Sequence, residues 1–166
     1  WLNSEVAIVR CMPNTPALVG EGATGLFANK LVSDHQKITA QSIMGSVGLT
    51  SWMQSEKDMD TVTAVSGSGP AYFFLLIEAM QEVAQELGLK KDVAESLICQ
   101  TAIGASKLIQ ESNDSSLILR KKVTSPGGTT ERAISVFESG NIRGLVRDAL
   151  IAARDRSIEL SEDLSN

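Results

Sequence analysis

The sequence is poor in the residues from which metal centres, disulfide frameworks and nucleic-acid interfaces are built. It holds two cysteines, Cys11 and Cys99, far apart and in no C-x-x-C pair, and one histidine, His35. No Cys/His zinc site can be assembled from that set, and a disulfide framework has no basis, so no metal is expected and a reducing, cytoplasmic address is. Aromatic residues make up 4% of the chain, too few for the stacking platforms that single strands require. Positive charge is in deficit: 15 Lys+Arg against 20 Asp+Glu leave a net charge of −5, which argues against nucleic acid or an anionic membrane as a partner. No uninterrupted apolar run approaches the roughly 18 residues that cross a bilayer. The first ten residues carry no basic region leading into an apolar block, so no signal peptide is expected. A G-x-S-x-G elbow is also missing, which excludes the usual α/β-hydrolase nucleophile. What is present, 43% hydrophobic and 21% charged residues over 166 positions, is the composition of a folded chain with a core.

The first third reads as α/β. Val6–Val9 is a short β-type run that Pro13 and Pro16 bring to an end by removing backbone donors. Ala23–Ala28 predicts a second strand and Leu49–Met53 a third. Between them Ser33-Asp34-His35-Gln36 has the form of a capping box, opening a helix to about Met44, with Gly45 and Gly48 closing it. His35 belongs to that helix start, since no nucleophile or carboxylate is tied to it by spacing. From about Asp60 the pattern becomes helical only. Tyr72, Phe73, Leu76, Ile77, Met80, Val83, Ala84 and Leu87 recur every three to four residues as one apolar face, with Pro70 near the start and Gly88 at the end. Further helices are predicted over Lys91–Ile109, Ser116–Val123, Thr130–Glu138 and, after a break at Gly140-Asn141, towards Leu160. The chain therefore divides into the end of an α/β domain, residues 1–59, and an all-α domain, residues 60–166. Such long apolar faces exceed what one small core can cover, which predicts a homodimer.

Five stretches bear on chemistry. Gly20-Glu21-Gly22-Ala23-Thr24-Gly25 matches G-x-G-x-x-G, but a strand rather than a helix is predicted after it, and no acidic residue stands about 20 residues on. It is not read as a dinucleotide loop. Ser66-Gly67-Ser68-Gly69-Pro70 is either a tight turn with an N-cap or a place where another backbone or a ligand comes close. Ser125-Pro126-Gly127-Gly128-Thr129-Thr130-Glu131 suits either of two roles. The glycine amides and the helix dipole could cradle a small anion, with Thr129 and Thr130 as neutral donors, or the segment could simply cap a helix. Met12-Pro13-Asn14-Thr15-Pro16 follows a predicted strand, where ligands enter open sheets; Asn14 there is either a ligand or the centre of an Asx turn. Glu56 and Asp58 lie at the junction of the two halves, as a cleft pair or a solvated surface pair.

Three of these stretches, Arg10–Pro16, Val62–Tyr72 and Val123–Thr130, resemble in sequence and order the carboxyl-terminal part of the pyrroline-5-carboxylate reductase family, over about residues 6–158. The resemblance implies the end of a Rossmann nucleotide-binding domain followed by an all-α helical dimerisation domain. It further implies NADPH or NADH as cofactor, with the family's main glycine-rich loop outside this sequence, and a homodimer or a ring of dimers. The implied reaction passes a hydride from the nicotinamide to the C=N carbon of 1-pyrroline-5-carboxylate, giving L-proline. By the same resemblance Thr130 is the catalytic donor to the ring nitrogen. Ser125, Gly127, Gly128 and Thr129 hold the substrate carboxylate, and Glu56 edges the pocket. Met12, Pro13 and Asn14 lie near the nicotinamide, and Ser66–Gly69 bring the first long helix close to the partner subunit. Two places depart from the family pattern: Asp114-Ser115-Ser116, where many relatives carry His-Pro, and Lys122, where an amide is common.

Overall fold

The computed structural model describes residues 5–163. Three strands form its sheet: β1 (Val9–Met12), β2 (Gly22–Ala28) and β3 (Gly48–Trp52). β1 runs antiparallel to β2 with Val9 opposite Ala28, and β2 runs parallel to β3 with Gly22 opposite Gly48. A parallel pair needs a crossover, and α1 (Asp34–Gly45) supplies it. Its start is the expected capping box: Gln36 N donates to Ser33 Oγ at 3.3 Å, and Ser33 N donates to Gln36 Oε1 at 2.9 Å. The backbone at Gly48 has φ +147, and a Cβ there would overlap the backbone of Gly22, so only glycine lets the two strands meet in this register.

The first strand sits three residues downstream of its expected position. Residues 6–8 are held by Asn29, through its side chain and through its backbone N–H, which donates to Ile8 O at 3.0 Å. Asn29 Nδ2 donates to Val6 O at 2.8 Å, and Asn29 Oδ1 accepts from Ile8 N at 3.2 Å. Pro13 ends β1 as expected. The following Thr15–Val19 forms a 3-10 turn with Pro16 in its first turn, closed by Gly20 in the left-handed region. The G-x-G-x-x-G letters thus straddle the end of that turn and the start of a strand, and the dinucleotide-loop reading is excluded by context.

The helical part comprises α2 (Asp58–Val62), a π-helical turn at Thr63–Gly67, α3 (Gly69–Glu86), α4 (Lys91–Glu111), α5 (Ser116–Lys122), α6 (Thr129–Ser139) and α7 (Ile142–Asp163). Periodicity located the long helices to within a few residues; the π turn was not foreseen. Asn141, at φ +57, makes the expected break before α7.

By contacts the chain separates into two compact units, one holding residues up to Tyr72 and from Arg147 onward, the other Phe73–Val146. In the first, Leu26, Met59 and Ala64 are fully buried, and Ser157 Oγ donates to Asp60 Oδ1 at 2.8 Å, fastening the end of α7 to α2. The second has one buried apolar residue among those described, Ala94. Phe73 (65% exposed), Leu76 (47%), Met80 (44%) and Val83 (50%) form an open apolar stripe on α3. By length and composition the helical run 58–86 is also apolar enough to cross a membrane, at a mean hydropathy of 1.2. This qualifies the expectation that no such segment exists, although a face made for another protein helix has the same composition.

Candidate functional site

The loop between α5 and α6 is built from its glycines. Gly127 adopts φ +73, which turns the chain so that Gly128, in extended backbone, becomes the N-cap of α6. Both glycine amides are satisfied inside the loop. Gly128 N donates to Ser125 O at 3.0 Å, and Gly127 N donates to the Glu131 carboxylate at 2.7 Å. The pair of outward-facing glycine amides read from the sequence is therefore not what the fold presents. Open donors lie one step further on: Thr129, Thr130 and Glu131 make no amide hydrogen bond among the described residues, and Gly128 offers no side-chain cap. Three amides at the positive end of an eleven-residue helix can hold a carboxylate or phosphate. Thr130, half-buried in the second position of α6, has a hydroxyl with no partner among the described residues. The role of Glu131 was missed from sequence, although an acid at the third helical position is the usual signal for such a back-bond.

Around this loop α5, α6 and the start of α7 are joined by ion pairs. Glu138 accepts from Arg143 at 2.8 and 3.0 Å through both carboxylate oxygens, and from Arg120 at 3.1 Å. The Arg143 hydrogen bonds, aided by the charges of Arg143 and Arg120, hold the Glu138 carboxyl below the usual carboxylate range. A depressed folded-state value gives stability that is complete above the unfolded value and disappears as pH falls through the folded one. The expected result is that Glu138→Gln has a lower urea midpoint than wild type near neutral pH. The gap should close on acidification below the ordinary glutamate range. A gap independent of pH would show that Glu138 acts through packing instead. Beside α5 and α6 a recess of about 260 Å³ is lined by Arg120, Lys121, Thr124 and Ile134, and none of the predicted site residues is among them.

The remaining predicted residues lie in the first unit. Glu56 is exposed and pairs with Arg10 of β1 at 3.4 Å, a partner that sequence spacing could not reveal across 46 residues. Met12 and Asn14 are half-buried and Pro13 is exposed. Asn14 uses both ends of its amide: Oδ1 accepts from Ala23 N at 2.9 Å and Nδ2 donates to Ser66 O at 3.0 Å. The Asx-turn reading is excluded, because the residue two positions on is Pro16, which has no N–H. At Gly67 the close neighbour is a side chain of the same chain, not another backbone: an added Cβ would meet Met12 Cε at 2.5 Å. No group of three or more metal-ligating side chains exists among the described residues.

A family model described as pyrroline-5-carboxylate reductase dimerisation matches residues 56–160. The chain belongs to this family. Over 164 residues it is 49% identical to the pyrroline-5-carboxylate reductase of Pseudomonas aeruginosa, covering 99% of the chain and 60% of that relative. Among solved structures it resembles the pyrroline-5-carboxylate reductase of Coxiella burnetii with a TM-score of 0.90 at 55% identity, over 93% of the chain and 57% of the other. It also resembles the Plasmodium falciparum pyrroline carboxylate reductase solved with NADP bound, with a TM-score of 0.87 at 36% identity, over 93% and 58%. The chain thus spans about 60% of the length of the curated relatives it matches. A Rossmann remnant followed by a helical dimerisation domain is the fold of this pyrroline-5-carboxylate reductase family member. Lys122 Nζ pairs with Asp114, which lies just before α5.

Proposed function

We propose that the protein containing this chain is an NAD(P)H-dependent pyrroline-5-carboxylate reductase, and that the chain contributes its substrate-holding loop and its dimerisation surface. The observation that carries the reading is the start of α6, where three amides and the Thr130 hydroxyl, all without a partner among the described residues, stand together in a family-matched segment. The substrate carboxylate is held by the amides of Thr129, Thr130 and Glu131, with Ser125, Gly127 and Gly128 shaping the turn that aims them. Glu131 already occupies the Gly127 amide, which directs the incoming carboxylate to the helix side of the loop. The Thr130 hydroxyl hydrogen-bonds the ring nitrogen, the atom that gains a proton as the C=N carbon is reduced. Glu56 is assigned to the substrate side by family resemblance alone.

The reduced nicotinamide supplies the hydride. Among the described residues no strand, glycine-rich loop and helix in succession make a pyrophosphate cradle. Met12, Pro13 and Asn14 can border the nicotinamide only as a surface, since the Asn14 amide is already used. The choice between NADPH and NADH is not encoded in these residues. The reading keeps a boundary near residue 60 between nucleotide-domain remnant and dimerisation domain, supported by a family match that begins at residue 56. It also keeps a cytoplasmic address and a homodimer that can assemble into rings.

Steady-state assay of the full-length protein tests this. Oxidation of NADPH or NADH is expected only when 1-pyrroline-5-carboxylate is present, with L-proline as product. Its absence with both nucleotides would leave a non-catalytic homodimerisation module, a reading favoured by the two internally capped glycine amides.

A further inference from the structure

The helical run from Asp58 to Glu86 contains a proline, and what the fold does about it assigns a role to Asn14. In a regular α-helix the carbonyl of Ser66 would accept from the backbone N–H of residue 70. Residue 70 is Pro70, which has no N–H and whose ring crowds that same carbonyl. The chain widens into the π turn at Thr63–Gly67, where Ser68 N reaches back to Thr63 O at 2.8 Å, and Ala71 N turns instead to Ser68 O at 3.1 Å. Neither bond reaches the Ser66 carbonyl. Asn14 does, donating from Nδ2 at 3.0 Å while its Oδ1 holds Ala23 N of β2 at 2.9 Å. A half-buried carbonyl without a partner is costly, so this donor has a defined task. Met12, two residues earlier, closes the same contact by lying against Gly67.

We propose that Asn14 is a positioning residue rather than a polar ligand of the cofactor: it fastens the loop after β1 to the π turn that opens α3, supplying the hydrogen bond that Pro70 denies to Ser66. One amide side chain thereby ties three segments, β2, the Met12–Asn14 loop and the root of α3. The reactive consequence rests on the reductase reading, because the loop so fixed is the one that reading places at the nicotinamide. Asparagine is required for the double task. Aspartate keeps the acceptor for Ala23 but turns a carboxylate oxygen towards the Ser66 carbonyl, and alanine loses both bonds.

The test combines kinetics and stability in the full-length protein. Asn14→Asp and Asn14→Ala are expected to lower kcat on the order of tenfold to a hundredfold, the scale of a small misplacement of reacting groups, with the cofactor KM within about twofold of wild type. Both variants should lower the urea midpoint. Pro70→Ala restores an N–H at residue 70, and in that background the midpoint drop caused by Asn14→Asp should shrink to about half or less, the non-additivity of groups that serve one acceptor. A large rise in cofactor KM with an unchanged midpoint would make Asn14 a ligand and overturn the proposal. Equal midpoint drops in the two backgrounds would overturn it as well. If the wild-type protein shows no reductase activity, the reaction assignment fails by itself, and the Asn14–Pro70 cycle, read from unfolding alone, still decides the latch.

Discussion

On the proposed reductase reading, Thr130→Ala in the full-length protein is expected to lower kcat/KM by roughly ten- to a thousandfold, the loss of one donor worth about 1.4–4 kcal/mol at a site of changing charge. The expected loss falls mainly on kcat, because in the proposed reaction the ring nitrogen would gain its proton during reduction and the hydroxyl would matter most at that moment. Folding is not a confounding factor. Thr130 is the second residue of α6 and is not its cap, and alanine is the better helix former, so the helix is retained. Thr130→Ser keeps the donor and should keep most of the activity. The three amides that would hold the carboxylate belong to the backbone and survive both substitutions, so substrate KM should move less than kcat. Kinetics unchanged in the alanine variant would remove Thr130 from the mechanism and leave the loop as a helix cap.

The second large effect concerns α3. Leu76→Asp combined with Met80→Asp is expected to abolish dimerisation, seen in sedimentation as a shift from dimer to monomer or as loss of soluble protein. Phe73, Leu76, Met80 and Val83 stand on one stripe, each about half exposed or more in the single chain. Full burial of one such side chain is worth about 1.5–3 kcal/mol, and two copies meeting would cover the stripe twice. Two aspartates reverse that gain and add the cost of desolvating charge against an apolar face. The second unit has little else to rely on, since Ala94 is its one buried apolar residue among those described. Wild-type chain that sediments as a monomer at micromolar concentration, or a double variant that stays dimeric, would defeat the expectation.

Local signals carried the element reading well where they were redundant. The α1 start was legible because Ser33 and Gln36 form a reciprocal pair within four residues, and both hydrogen bonds are present. Long helices were legible because their apolar spacing is repeated over several turns. The first strand begins later than expected because residues 6 and 8 bond to the side chain and backbone N–H of Asn29, 23 and 21 residues away in sequence. The candidate site divides in the same way. Glycine content located the loop before α6, yet which amides face outward depends on where the Glu131 carboxylate lands, four residues on. Asn14 was singled out for having a donor and an acceptor, and the fold has spent both on groups 9 and 52 residues distant.

By itself the sequence of these 166 residues offered neither a Cys/His metal-ligand set nor a G-x-S-x-G elbow. It determined the order of strand and helix segments, the family, and the turn positions that need glycine. Those properties follow from composition and from interactions a few residues long. The tertiary structure decided that the glycine amides at 127 and 128 are bonded within their own loop, that Lys122 pairs with Asp114, and that Ser66 takes its hydrogen bond from Asn14. Each of these is a question of which donor reaches which acceptor, and a buried or half-buried polar group takes whatever partner the folded chain brings within about 3 Å, however remote in sequence.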